Sequence, residues 1–320
     1  MTSSLTPATP AAVSTHAHNA LGHSEEYFGA YRDFWWNADF LQLIARRWQL
    51  QHYRSVLDVG CGQCHWSRLL LPYLADQPQI TGLDRDIKWS QGDPALQRRF
   101  AEQGASLVFR QGDAVCLPYA DDSFDLVTCQ TVLIHLADPL AALREMHRVA
   151  KPGGRVICAE PSNLANAGMA SALEADMTPA ERLAAYRYRL LCETGKRLVG
   201  EGDSSLGDGL ASLFRQADFA EVQSYLSDKA TPVLAPYGGE EAQADLADLR
   251  ESMLPERVAL WDSHVARWVT ALSREDADFV RTYAADVDAR HARLRALLES
   301  GRYWYGGAAV MYLVSAVKAR

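Results

Sequence analysis

The sequence predicts an α/β protein built on one doubly wound, mostly parallel sheet of seven strands, with helical lid insertions. Two observations lead there. Short apolar runs alternate with helical patterns between residues 55 and 160, and the first of these runs stops at a glycine turn that opens a helix. The first strand is Ser55 to Val59 (SVLDV), halted by Gly60-Cys61-Gly62 and followed by Trp66, Leu69, Leu70 and Leu74 at helical spacing. Gln79 to Asp84, Ser106 to Gln111, Phe124 to Gln130 and Gly154 to Glu160 repeat the strand pattern, with helical stretches between them. Strands separated by helices place the sheet between two helical layers. Residues 163 to 200 then read as a helical insert, Ser205 to Asp218 as a helix, and Glu221 to Ser227 as a sixth strand. A second helical block over residues 240 to 300 precedes a seventh strand, Ala309 to Val317. The expected organisation is a mobile arm (1–22), an N-terminal helical cap (23–52) and one α/β domain (53–320) carrying both inserts.

Composition narrows the function classes. The chain has 320 residues and a formal net charge of −8, which argues against a nucleic-acid partner. With 48% hydrophobic and 22% charged residues it has the make-up of an ordinary globular protein. No apolar run approaches the roughly 18 residues of a membrane span. The first residues lack the basic start and apolar stretch of a secretory signal, so the expected location is the cytoplasm. The six scattered cysteines then read as free thiols, and Cys61-x-x-Cys64 lacks the second ligand pair that zinc requires, so no metal is expected.

The run Val56-Leu57-Asp58-Val59-Gly60-Cys61-Gly62 carries the strongest chemical signal. A strand ending in glycines lets backbone approach a ligand at the carboxyl edge of the sheet. Here the sequence resembles the class I S-adenosylmethionine-dependent methyltransferases, whose first motif, DxGxG, is matched by Asp58, Gly60 and Gly62. The frequent third glycine of that family is Cys64 here. Asp84, ending the second strand, is placed to accept the hydroxyl protons of a ribose. By the resemblance, Asp113 meets the adenine amino group and the backbone at Ala114 lies against the ring. Gln130, then Ile134-His135-Leu136 and Arg148 to Gly154, complete the family's later motifs. A dinucleotide fits less well, because the last glycine of GxGxxG is replaced by His65, and Asp58 suits a cationic amine better than a pyrophosphate.

Absences narrow the substrate. The Asn/Asp-Pro-Pro-aromatic sequence of the family's nucleic-acid amino-methylating members is replaced by Thr128-Cys129-Gln130-Thr131, and of the clustered metal ligands that metal-dependent members carry after the fourth and fifth strands only Glu160 and Asn163 are a faint echo. The implied cofactor is S-adenosylmethionine and the implied partner a small-molecule substrate, in small-molecule or secondary metabolism. The sequence carries no signal for an oligomeric state. His135 is a candidate general base or a structural residue before the helix start at Asp138-Pro139, and Glu160 a candidate for acceptor contact or for fixing a loop. The aromatic segment from Tyr27 to Phe40 reads either as a helix packing its aromatic stripe onto the core or, by the resemblance, as a helix closing over the cofactor. Tyr27 and Arg32 are then candidates to touch the cofactor, a solvated Arg32 being the alternative, and Tyr31 is a candidate catalytic residue. In the first insert, Tyr186 and Tyr188 are candidates to line the acceptor pocket, while Arg187, Arg189, Lys196 and Arg197 read as a solvated face. The leading reading is methyl transfer to a small molecule. The alternatives are an azetidine-2-carboxylate synthase-like cyclase, which releases methylthioadenosine from the cofactor itself, and a cofactor-binding protein without turnover.

Overall fold

The computed structural model describes residues 32, 34–230, 232–307 and 309–320. Tyr27, Tyr31 and the arm assigned to residues 1–22 lie outside the described residues. Strands β1 (Ser55–Val59), β2 (Gln79–Asp84), β3 (Ser106–Gln111), β4 (Phe124–Gln130), β5 (Ala150–Pro161), β6 (Ala220–Leu226) and β7 (Met311–Val317) form one sheet in the order β3-β2-β1-β4-β5-β7-β6. β7 runs antiparallel to both of its neighbours, and the remaining strand pairs are parallel. The doubly wound, mostly parallel sheet expected from the sequence is therefore present. Its fifth strand starts earlier than the apolar run suggests, because Ala150 already pairs with Phe124 across a register shift.

Successive residues of the inner strands point to opposite faces, and both faces are covered. Val56, Leu126, Ile157 and Leu313 face a layer holding Ile44, Trp48, Trp66 and Phe100. Their neighbours Leu57, Val127, Cys158 and Val314 face Leu143, Met146, Phe214 and Phe219. The first layer comes from helices α1 (Ala38–Trp48), α2 (His65–Leu70) and α3 (Pro94–Glu102), the second from α4 (Pro139–Val149) and a later helix. In α1, Phe40, Ile44 and Trp48 recur every four residues on the buried stripe, and Arg46 and Arg47 complement the carboxyl end of the helix dipole. α4 starts where Pro139 sets the backbone and the Asp138 carboxylate accepts the N–H of Ala141.

The insert after β5 is dominated by α5 (Pro179–Leu198), opened by a capping box between Thr178 and Glu181. A shorter helix α6 (Leu210–Gln216) leads into β6, and α7 (Glu240–Ser252), α8 (Pro255–Trp268), α9 (Arg274–Ala284) and α10 (Val287–Glu299) fill the interval before β7. α5, α8 and α9 share a small core of Tyr188, Cys192, Val265, Trp268 and Val280. A second such core joins Ala172, Val233, Leu246, Leu294 and Tyr303. Among the described residues, no helix is long and apolar enough to cross a membrane.

Candidate functional site

The carboxyl ends of β1, β2, β3, β4 and β5 bring five loops together, where open α/β sheets receive ligands. The turn after β1 holds Gly60 at φ +65° and Gly62 at φ +48°, a left-handed conformation natural to glycine. A Cβ on Gly60 would also stand 2.5 Å from Val132 Cγ2. Cys64 adopts φ +55°, so the position where the family prefers glycine does require the left-handed region, and a cysteine tolerates it at some strain. The Cys61 N–H donates to Leu83 O at 3.0 Å and the Gly62 N–H to Asp84 Oδ2 at 3.1 Å, which pins the turn to β2. Cys61 and Cys64 are buried and form no disulfide, and the contact with Cys64, followed by burial, pushes the Cys61 thiol well above its usual range.

Asp84 is 4% exposed, and its second oxygen accepts the Asp86 N–H at 2.9 Å. Asp58 is buried one strand away and accepts from the Ser67 hydroxyl. Burial pushes its carboxyl up to about 7, against the opposing pull of the Ser67 hydrogen bonds, with Asp84 adding to the rise and Arg32 lowering it. After β3, Asp113 bridges to Cys116 and accepts the Val115 N–H at 3.1 Å, with Ala114 buried beside it.

The turn after β4 is the most constrained part of the site. Gln130 ends the strand in a buried position, and Thr131 takes φ +54° with its Oγ1 accepting from Arg32 Nη2 at 3.1 Å. Arg32 is 5% exposed and lies over the Trp35 ring at 5.3 Å. Trp36 stacks on Phe40 and tilts against Trp66, whose Nε1 donates to Thr128 Oγ1 at 2.6 Å. His135, half-buried, closes the short turn Leu133–His135. Glu160, wholly buried at the end of β5, fixes this loop: its Oε1 accepts the N–H groups of Val132 and Leu133 at 3.0 and 2.9 Å. Burial pushes the Glu160 carboxyl up to about 7 against those same backbone hydrogen bonds.

The structure thus gathers Asp58, Gly60, Gly62, Asp84, Asp113, Ala114, Gln130, Arg32 and His135 at one edge of the sheet. Tyr186 stands 39% exposed on α5. Tyr188, two residues on and so on the opposite side of the helix, is spent inside the lid, its hydroxyl accepting from Trp261 Nε1 at 2.9 Å. Lys196 corrects the reading of its helix as a solvated basic face: it is 5% exposed, donating to Ile134 O and Ser204 Oγ. Ser67 and Thr131 had no motif to mark them; only the spacing of Ser67, nine residues after Asp58 and just inside α2, points to the strand.

Residues 57–158 match the family described as a methyltransferase domain. The chain is 39% identical to the demethylmenaquinone methyltransferase of Halalkalibacterium halodurans over 119 residues, 37% of this chain and 47% of that protein. Against the demethylmenaquinone methyltransferase of Anoxybacillus flavithermus it is 33% identical over 187 residues, 56% of this chain and 75% of that protein. The chain belongs to the class I S-adenosylmethionine-dependent methyltransferases. The aligned part spans about half the length of the first curated relatives it matches. The solved YcgJ protein of Bacillus subtilis superposes with a TM-score of 0.49 at 18% identity, covering 89% of this chain and 100% of that one. The methyltransferase match runs from β1 through β5 and takes in Asp58, the glycine turn, Asp84, Asp113 and Gln130, whereas α5 and α7 to α10 lie beyond it. The donor set at this edge fits the methyltransferase cofactor. Two buried carboxylates and one buried guanidinium complement a cationic amino acid carrying a carboxylate and a ribose diol.

Proposed function

We propose that this chain transfers a methyl group from S-adenosylmethionine to a small-molecule acceptor. The observation that carries the reading is the buried Asp58, Asp84 and Arg32 set around a glycine turn at the carboxyl edge of the sheet, charges of both signs where open α/β sheets take their ligands. In this reading Asp58 takes the ammonium of the cofactor, Arg32 its carboxylate, Asp84 the ribose hydroxyls, and Asp113 with the Ala114 backbone the adenine, while Gln130 borders the cofactor at the end of β4. When bound, the cofactor supplies a methyl carbon already activated by its sulfonium. The protein's part is then orientation and the exclusion of water, worth up to roughly 7–11 kcal/mol in well-oriented reactions. His135 is the group we assign to proton removal from the acceptor, since it sits on the constrained turn itself.

Asp84→Ala is expected to weaken S-adenosylhomocysteine binding by about 1–3 kcal/mol, through loss of charge-assisted hydrogen bonds. A calorimetric titration with unchanged affinity would remove Asp84 from the ribose site. Because the named relatives are demethylmenaquinone methyltransferases, a short-chain reduced demethylmenaquinone is the first acceptor to assay, followed by a panel of small phenols, amines and carboxylates. Acceptor-dependent formation of S-adenosylhomocysteine supports the proposal. Methylthioadenosine released from S-adenosylmethionine alone would replace it with cyclisation, and absence of cofactor binding would reject both.

A further inference from the structure

Two buried ionisable groups grip the turn between β4 and α4 from separate parts of the chain. Glu160 holds the N–H groups of Val132 and Leu133 from β5. From the lid helix α5, the Lys196 ammonium donates to the next carbonyl along, Ile134 O, at 3.4 Å, and to Ser204 Oγ at 2.5 Å. The Glu160 carboxylate adds to the pull on that ammonium after Glu193, Asp203 and Glu201, and its Oε2 is buried without a hydrogen-bond partner among the described residues. The loop after α5 presses on the same turn, since a Cβ on Gly202 would fall 2.1 Å from Ile134 O. On its other side the lid is locked to itself: Glu201 accepts from Trp268 Nε1 and Arg267 Nε at 2.8 and 3.0 Å. A lid that needed only to cover the sheet would place an apolar side chain at position 196, because burying an ammonium is costly unless the site uses its charge.

We propose that Lys196 and Glu160 form a charge clamp on the turn from Thr131 to His135, and that Lys196 is the positioning residue by which the lid fixes the acceptor side of the site. Naming this the acceptor side rests on the proposed function; the clamp itself does not. Cys129 faces Glu160, while Glu193, Glu201, Asp203 and His264 surround Lys196. The acidic neighbours keep the ammonium charged against its burial, which pulls it toward neutrality. When Glu160 is ionised the clamp is an attraction between opposite charges across the turn. When Glu160 is protonated at lower pH, its share of that attraction is lost, and the hydrogen bonds and the pull of Glu193, Asp203 and Glu201 remain.

Hydrogen exchange of the ligand-free protein tests this. In Lys196→Met, amides of the turn are expected to exchange about tenfold faster at pH about 8 and distinctly less so at pH about 6, after correction for intrinsic rates. Adding Glu160→Gln to Lys196→Met is expected to remove that pH dependence, and Lys196→Arg to stay within about twofold of the parent chain. Glu160→Gln alone supplies a second route should Lys196→Met fail to fold: it is expected to flatten the pH dependence of exchange at the turn. Unchanged exchange in Lys196→Met, an increase equal at both pH values, or a Glu160→Gln protein with the parent's pH dependence overturns the clamp. S-adenosylhomocysteine titration of the parent chain reads the functional proposal separately: failure to bind rejects that proposal and leaves the exchange result standing.

Discussion

Asp58→Asn is expected to weaken S-adenosylmethionine binding by about 2–5 kcal/mol, the usual loss when one partner of a buried charged hydrogen-bond pair is removed. It is also expected to flatten the pH dependence of binding. In the ligand-free protein burial holds the Asp58 carboxyl at about 7, so near neutrality much of it is protonated. A cationic ligand requires the carboxylate. Affinity of the parent chain should therefore be constant above about pH 7 and fall toward acid pH by up to about tenfold per unit, with a proton released on binding. Folding stability has its own sign. The folded pKa is raised above that of the unfolded chain, so the unfolded state ionises first as pH rises. The ligand-free protein loses stability from about pH 4 to about pH 7, and Glu160, raised by the same cause, adds to the slope. Titration calorimetry near pH 6 and pH 8 in buffers of different ionisation enthalpy checks the binding claim. Equal affinities at the two pH values in the parent chain would refute it.

The largest expected loss of stability comes from Gly202→Ala. Gly202 sits at φ +92°, and a Cβ there would meet Ile134 O at 2.1 Å and the His135 carbonyl carbon at 2.8 Å. Both are backbone atoms of a turn whose Ile134 O also accepts from Lys196, so the contact cannot relax as the tip of a long side chain would. A cost of about 3 kcal/mol or more in urea unfolding is expected, with the loop after α5 lifted from the turn. Gly209→Ala is the matched control, since Gly209 has φ −93° and nothing within 4 Å of the added carbon. Its effect should stay within about 0.5 kcal/mol. Comparable losses in the two variants would show that Gly202 is not confined as described.

The sheet was legible because its inner strands are short, apolar on both faces and punctuated by turns, as in Ser55–Val59 before Gly60. The strand-end positions of Asp58, Gly60, Gly62 and Asp84, which the proposal makes anchors, were legible because local spacing reports where strands end. Lys196 was not. Helical spacing correctly puts it on α5, but whether a lysine faces water or a carbonyl depends on what packs there, and Ile134 is distant in sequence. Thr131 was missed for a similar reason: its left-handed backbone has no glycine to announce it, and its bond is to Arg32, 99 residues away in sequence. Tyr186 and Tyr188 show the converse, two promising side chains whose helix turns one to solvent and the other into the lid.

The place of β7 between β5 and β6 bears on the order in which the chain can assemble on the ribosome. When β6 emerges, the neighbour it pairs with is still to be synthesised beyond α7, α8, α9 and α10. Until Met311–Val317 is released, β5 presents an open apolar edge along Val156 to Ala159 and β6 has no partner in the sheet. Such an edge invites pairing with other chains. Synthesis rate through the second helical insert therefore sets how long the nascent protein remains exposed to aggregation.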